Sequence, residues 1–237
     1  TNSIQDSALA KSLQRETTAE VLFDDFSRGL YSTDASIYQI MPLGVVVPKT
    51  EEDVKTTLNI AYENGISVTM RGAGTSQCGQ TVGEGIIVDV SKNLKSLVSV
   101  DPEKRQASVQ PGIVLDQLND SLKQHGLFFP VDVSTSSRAT IGGMTANNSC
   151  GARSIRYGKM VDNVGEVDAV LAEGSSMRFG KLDDVKASAV PQRQQKLVSE
   201  LIELGTRESE EVVKRFPRVQ RRVGGYNLDV LSAESGS

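Results

Sequence analysis

The 237-residue chain carries a formal net charge of −4, and 38% of its residues are hydrophobic. Such a chain can bury one substantial core or two modest ones, and it offers neither a basic surplus to nucleic acid nor an apolar run of membrane-spanning length. The polar stretch Thr1 to Glu20 has no signal-peptide core, and Cys78 and Cys150 make no CxxC pair, so a soluble protein of a reducing, cytoplasmic compartment is expected.

Taken in chain order, Gly44 to Val47 reads as a strand, and Thr50-Glu-Glu-Asp53 as a capping-box-like helix start with Asp where Glu or Gln is usual. Val54, Leu58, Ala61 and Tyr62 share a face of that helix, Gly65 ends it, and Ser67 to Met70 is a second strand, giving a β-α-β unit. Ile86 to Asp89 is a further apolar strand. Leu97 to Val100 and Ala107 to Gln110 read as an antiparallel pair around Asp101-Pro-Glu-Lys-Arg105. A helix with Leu115, Leu118 and Leu122 on one face follows, ending at Gly126. Val164 to Leu171 and Met177 to Gly180 read as a hairpin, Lys181 to Gln195 as a loop, and Leu197 to Leu204 as a helix.

The stretch Arg71-Gly-Ala-Gly-Thr-Ser76, directly after a strand, carries the chemistry. Gly72 and Gly74 can take backbone conformations closed to other residues, so the amides can curl into a concave nest that suits a phosphate or pyrophosphate. Two familiar phosphate motifs fail here. Gly74, Gly79 and Thr81 fit the P-loop spacing, but Gln80 stands in place of the lysine. The dinucleotide fingerprint lacks its third glycine, because position 77 is Gln, and the segment leads to a strand rather than a helix. An ordinary glycine-rich turn is the alternative for this stretch taken alone. The run from Phe128 to Gly158 is long, poor in charge and crowded with Ser, Thr, Asn and Gly, as expected of a loop that is either disordered or folded around a ligand.

At these residues the chain resembles a known family. Arg71 to Ser76, Pro130 to Ser134, Thr140-Ile-Gly-Gly143, Asn148-Ser-Cys-Gly-Ala-Arg153 and Arg156-Tyr-Gly158 are similar to the flavin-binding half of the vanillyl-alcohol oxidase/p-cresol methylhydroxylase superfamily. Within it, the likeness is to FAD-linked D-2-hydroxy acid dehydrogenases acting on lactate, glycolate or 2-hydroxyglutarate. Phe23 to Ser36 resembles the large members in which the flavin domain is fused to an iron–sulfur half. The resemblance implies an α+β fold in which two α/β subdomains, one with a small parallel sheet and one with a larger antiparallel sheet and helices, enclose FAD. It divides the chain into an N-terminal helical extension at 1–40, a pyrophosphate-loop subdomain at 41–95 and a second subdomain at 96–237, truncated before a cap domain.

The resemblance also assigns roles. Gly72, Ala73, Gly74, Thr75 and Ser76 would cradle the FAD pyrophosphate beside Gln80, and Arg71 would meet a phosphate or stand as a solvated strand-end cation. Pro111, Ser134, Thr140, Gly142, Gly143, Asn148, Ser149 and Gly151 would follow the adenosine, ribityl chain and ring. Tyr157 and Val167 would complete the wall, core packing being the alternative for Tyr157. Covalent relatives attach FAD through His or Cys, often a His in the first glycine loop; none stands at Gly74-Thr-Ser76, so noncovalent FAD is expected. Cys78 and Cys150 are expected to pack as small buried residues.

Oxidising a 2-hydroxy acid takes a base, a cation for the carboxylate and a hydride acceptor. His125, the chain's single histidine, falls at a helix end where capping outweighs catalysis. Catalytic groups, and any Fe–S cluster, are therefore expected in a C-terminal region or a partner, with no catalytic residue and no metal ligand in this chain. Electrons would pass to an Fe–S domain, a quinone or a cytochrome, the protein remaining cytoplasmic or peripheral to the inner face of a membrane. The alternatives are a superfamily oxidase that reduces oxygen and a noncatalytic nucleotide-binding module.

Overall fold

A computed structural model describes residues 7–180, 192–219, 222 and 225–231. The first layer is a four-stranded sheet in the order β1-β2-β4-β3, built from β1 (Glu20–Leu22), β2 (Gly44–Val47), β3 (Val68–Arg71) and β4 (Ile86–Asp89). β2, β4 and β3 run parallel, and β1 joins as an antiparallel edge, so the 1–40 segment holds a strand as well as helices. The continuous apolar runs of β2 and β4 reflect burial on both faces. Val46, Ile86 and Val88 face α1 (Ala8–Glu16) and α3 (Glu51–Glu63), packing with Leu13, Val54, Leu58 and Ala61. Val45, Val47 and Ile87 face the other way, toward Leu22 and Tyr31. Gly44 leaves space for the Phe23 ring, which an added Cβ would meet at 2.4 Å.

The predicted capping box forms as read: Thr50 Oγ1 accepts from the Asp53 amide, and Asp53 reaches back to the Thr50 amide. Its carboxylate does more than cap. It also accepts from the backbone amides of Thr18 (2.7 Å) and Lys49 (2.8 Å) and from the Thr18 hydroxyl, tying the chain after α1 to the start of α3.

A second core gathers around α4 (Leu115–Leu122), with Leu115, Leu118 and Leu122 packed among Val131, Ile141, Met144 and Met160. A 3-10 turn over Lys123–His125 extends α4, and Gly126, at φ 67°, ends it. The hairpin β5 (Leu97–Asp101) and β6 (Gln106–Val109) lies against this core through Leu97, Val100 and Val109. The other expected hairpin is shorter than its hydrophobic pattern, with β7 at Val167–Val170 and β8 at Ser176–Phe179. The antiparallel part thus stands, among the described residues, as two separate two-stranded ladders. Short helices α5 (Ile141–Ala146), α6 (Ser154–Tyr157) and α7 (Met160–Asn163) break up the polar loop, and α2 (Asp25–Leu30) precedes β2. The helix expected at 197–204 is the middle of α8 (Gln192–Arg207), which with α9 (Ser209–Arg215) follows the hairpin; the expected loop at 181–195 lies outside the described residues up to 191. No helix among the described residues is long and apolar enough to cross a membrane.

The Asp53 carboxylate, 4% exposed, generates a prediction. Burial by itself raises its pKa, but the bonds from Thr18, Lys49 and Thr50 outweigh burial and hold it below the ordinary carboxylate value. Its stabilisation is then full above a pH of about 4 and lost as pH falls through the lower folded value. Asp53→Ala is expected to cost about 3 kcal/mol in urea unfolding at neutral pH, because three amides lose their acceptor. The deficit should shrink as the unsubstituted chain is acidified.

Candidate functional site

The connection between β3 and β4 positions the site. These strands are parallel neighbours, so the chain must return the length of the sheet between them, and residues 72–85 make that return without a helix. The loop leaves the carboxyl end of β3, the edge at which open parallel sheets present ligands. Gly74 and Gly79 lie at φ 66° and 72°, bending the backbone as only glycine does freely. The amides of Ala73, Gly74, Thr75 and Ser76 donate to no acceptor among the described residues, a run of free donors suited to an anion. The Ser76 hydroxyl donates to Gln80 Oε1 and accepts from the Cys78 amide.

Arg71 is not a solvated strand-end cation. Its Nη1 donates to the carbonyls of Tyr31 (3.3 Å) and Thr81 (3.4 Å), and the guanidinium stacks on the Tyr31 ring. It lies under Gly74, whose added Cβ would sit 2.7 Å from Nη2. The positive charge is therefore built into the floor of the loop.

The second glycine motif meets the first. A Cβ on Gly72 would lie 2.2 Å from Thr140 Oγ1, at the start of α5. One on Gly142 would lie 2.6 Å from Pro111 Cβ, and the Gly142 amide donates to the Pro111 carbonyl at 2.8 Å. Gly143 also approaches Thr140 Oγ1. Gly72, Pro111, Thr140, Gly142 and Gly143 are thus one cluster, drawn from both halves of the chain.

Asn148 follows α5 in a left-handed conformation, φ 44°, and is 8% exposed. Its Oδ1 accepts from the Val161 amide at 3.0 Å, whereas its Nδ2 is buried without a hydrogen-bond partner among the described residues, an expensive state unless a ligand supplies an acceptor. The Ser149 carbonyl accepts from the Met160 amide, holding the Asn148 turn against α7. Gly151 packs on Asp132, whose Oδ1 also accepts from the Arg153 amide.

The remaining predicted residues stand on other elements. Ser134 is exposed on a turn, Tyr157 ends α6 at 36% exposure with its ring edge-on to Phe128, and Val167 begins β7. Cys78 is exposed and Cys150 half-buried, so the expectation of two buried cysteines fails for Cys78: the loop around it bulges away from the core. His125 is exposed at the end of its 3-10 turn. Among the described residues no cluster of three His, Cys, Asp or Glu could hold a metal.

The residues present fit the FAD that the resemblance implies. The free amides at 73–76 suit a pyrophosphate, the Gly142-Gly143 pair strips side chains from the start of α5, and the unpartnered Asn148 Nδ2 awaits an acceptor.

Comparison with known proteins gives the same picture. Residues 42–180 match the family described as FAD binding domain. A D-2-hydroxyglutarate dehydrogenase of Pseudomonas putida is 36% identical over 223 residues, 92% of this chain and 22% of that protein. A D-lactate dehydrogenase of Archaeoglobus fulgidus is 39% identical over 138 residues, 57% of this chain and 30% of the relative. The chain thus spans less than a third of the length of either. An alkyldihydroxyacetonephosphate synthase structure superposes with a TM-score of 0.67 at 18% identity, covering 76% of this chain and 36% of its own, a likeness of fold.

The Gly72–Thr140 contact is directly testable. Gly72→Ala is expected to lower stability by about 1–3 kcal/mol through overpacking. Thr140→Ala removes the obstructing oxygen, so the double variant should recover part of that loss in thermal unfolding.

Proposed function

The chain belongs to the FAD binding domain family, and from that premise we propose that it is the flavin-holding part of a dehydrogenase that oxidises a D-2-hydroxy acid to the 2-oxo acid. The observation that carries this reading is the run of free amides from Ala73 to Ser76, closed against Thr140 of the second motif. Residues 41–95 and 96–237 act as two halves with the dinucleotide between them, the first holding its pyrophosphate and the second its adenosine and ring. FAD, when bound, supplies a hydride acceptor at its N5 position.

The chain's own residues bind and orient. Amides 73–76 neutralise the pyrophosphate without a helix dipole, and the Arg71 charge beneath them adds attraction without spending a hydrogen bond on the ligand. Asn148 Nδ2 donates to a cofactor oxygen or ring nitrogen, and Gly142 and Gly143 let a planar group approach the backbone. With no His in the Gly74-Thr-Ser76 segment, attachment is noncovalent. The proton-accepting base and the carboxylate clamp come from outside this chain, and electrons pass on to an Fe–S centre, a quinone or a cytochrome. The polar Thr1 to Glu20 stretch and the absence of a CxxC pair support a cytoplasmic protein, or one resting on the inner face of a membrane. The alignment with the D-2-hydroxyglutarate dehydrogenase runs over 92% of the chain, which makes D-2-hydroxyglutarate the first acid to test, ahead of D-lactate and glycolate.

Purified chain incubated with FAD and freed of excess should retain the flavin's visible absorption and release it into the supernatant on heat denaturation. In a longer polypeptide containing this chain, the acid substrate should bleach that band anaerobically. A chain that retains an adenine nucleotide but no flavin would show the reading to be wrong and support a noncatalytic nucleotide-binding module.

A further inference from the structure

Five of the fourteen residues from Gly72 to Gly85 are glycine, and glycine-rich backbone is costly to order. The loop nevertheless has a defined shape, and several of its ties run to one short segment ahead of β2. Gly74 O accepts from the Ala35 amide at 3.0 Å. The Thr81 hydroxyl donates to Asp34 Oδ2 at 2.9 Å, and Asp34 Oδ1 accepts from the Ser36 amide at 2.8 Å. The Tyr38 ring abuts Gly79, where an added Cβ would lie 2.5 Å from it. Arg71 closes the base of the loop by bonding Tyr31 O and Thr81 O together. The segment is itself closed by the Thr33–Gln39 bridge and the bond from the Ile40 amide to Ser32 O, and anchored in the sheet by the Tyr31 hydroxyl on Asp89 (2.6 Å).

We propose that residues 31–38 are a strap that holds the 72–85 loop in its anion-binding shape, with Asp34 as its principal positioning residue. The proposal rests on the reading that this loop takes the FAD pyrophosphate. Asp34 is informative because its charge opposes that role: a carboxylate beside a pyrophosphate loop repels the ligand. Both of its oxygens are instead engaged in holding the strap's own turn and the far end of the loop. The hydrogen bonds from Ser36 and Thr81 outweigh the effect of burial and keep it ionised, with its pKa below the ordinary carboxylate value. A charge-only account and a positioning account therefore predict opposite signs for its removal.

The test is FAD affinity by flavin fluorescence, set beside the apo melting temperature and the rate of proteolytic cutting within 72–85. Asp34→Ala is expected to weaken FAD binding about tenfold, as ordering the loop becomes part of the cost of binding, and to speed cutting of the apo loop. Asp34→Asn should restore affinity to at least the unsubstituted level, because its Oδ1 can still accept from Ser36 while its amide donates to the Thr81 oxygen. Thr81→Val, which keeps shape and loses the donor, should weaken binding in the same direction and decides the matter if Asp34→Ala lowers the apo melting temperature by more than a few degrees. Equal or tighter FAD binding by Asp34→Ala, with the unsubstituted chain binding normally, overturns the strap and leaves the flavin reading standing. Failure of the unsubstituted chain to bind FAD overturns both.

Discussion

Two neighbouring parallel strands cannot be joined by a tight turn, because the chain has to travel back the length of the sheet before it can pair again. Between β3 and β4 that return path carries no helix. A helix there would consume all but its first amides in its own ladder. An irregular path leaves them available, and four successive ones find no acceptor among the described residues at the carboxyl edge of the sheet. The cost of such a path is its looseness, which has to be offset from elsewhere in the chain. Arg71 beneath the loop, the segment ahead of β2 around it and Thr140 against its first glycine are three separate answers to that single demand.

The second constraint is proximity. The cluster of Gly72, Pro111, Thr140, Gly142 and Gly143 tolerates no additional carbon at Gly72 or Gly142, so these glycines are set by neighbouring protein atoms before any ligand is considered. That links the packing of two hydrophobic cores to the shape of one site. α4 and α5 share the Val131–Met144–Met160 core, and that core fixes where Thr140 meets the loop from the first sheet.

Much of this was legible in the sequence, and what was missed has physical causes. The apolar runs of β2 and β4 and the Thr50–Asp53 cap read correctly because they are local signals: hydrophobic pattern and short-range hydrogen bonding. The two glycine motifs could be picked out by their composition, but their contact could not, since nothing local to Gly72 points to Thr140. Arg71 was readable as a cation near a strand end, yet its acceptors are backbone carbonyls forty and ten residues away, and carbonyls leave no mark on sequence. The short segment Tyr31 to Tyr38 was visible only as part of a family likeness. The roles of its polar residues depend on meeting a loop that follows much later. The expectation of burial for Cys78 rests on residue type alone, which does not show that its loop turns outward.

Asn148 carries an implication for how such a chain can drift. Its left-handed backbone burdens any residue with a side chain by roughly 1 kcal/mol, Asn less than most, and glycine would escape the burden altogether. Random substitution under a demand for heat resistance alone is thus drawn toward glycine at this point. What opposes it is the amide, one end of which fastens the Val161 amide while the other faces inward unanswered. Backbone ease and an inward-facing amide therefore pull this position in different directions.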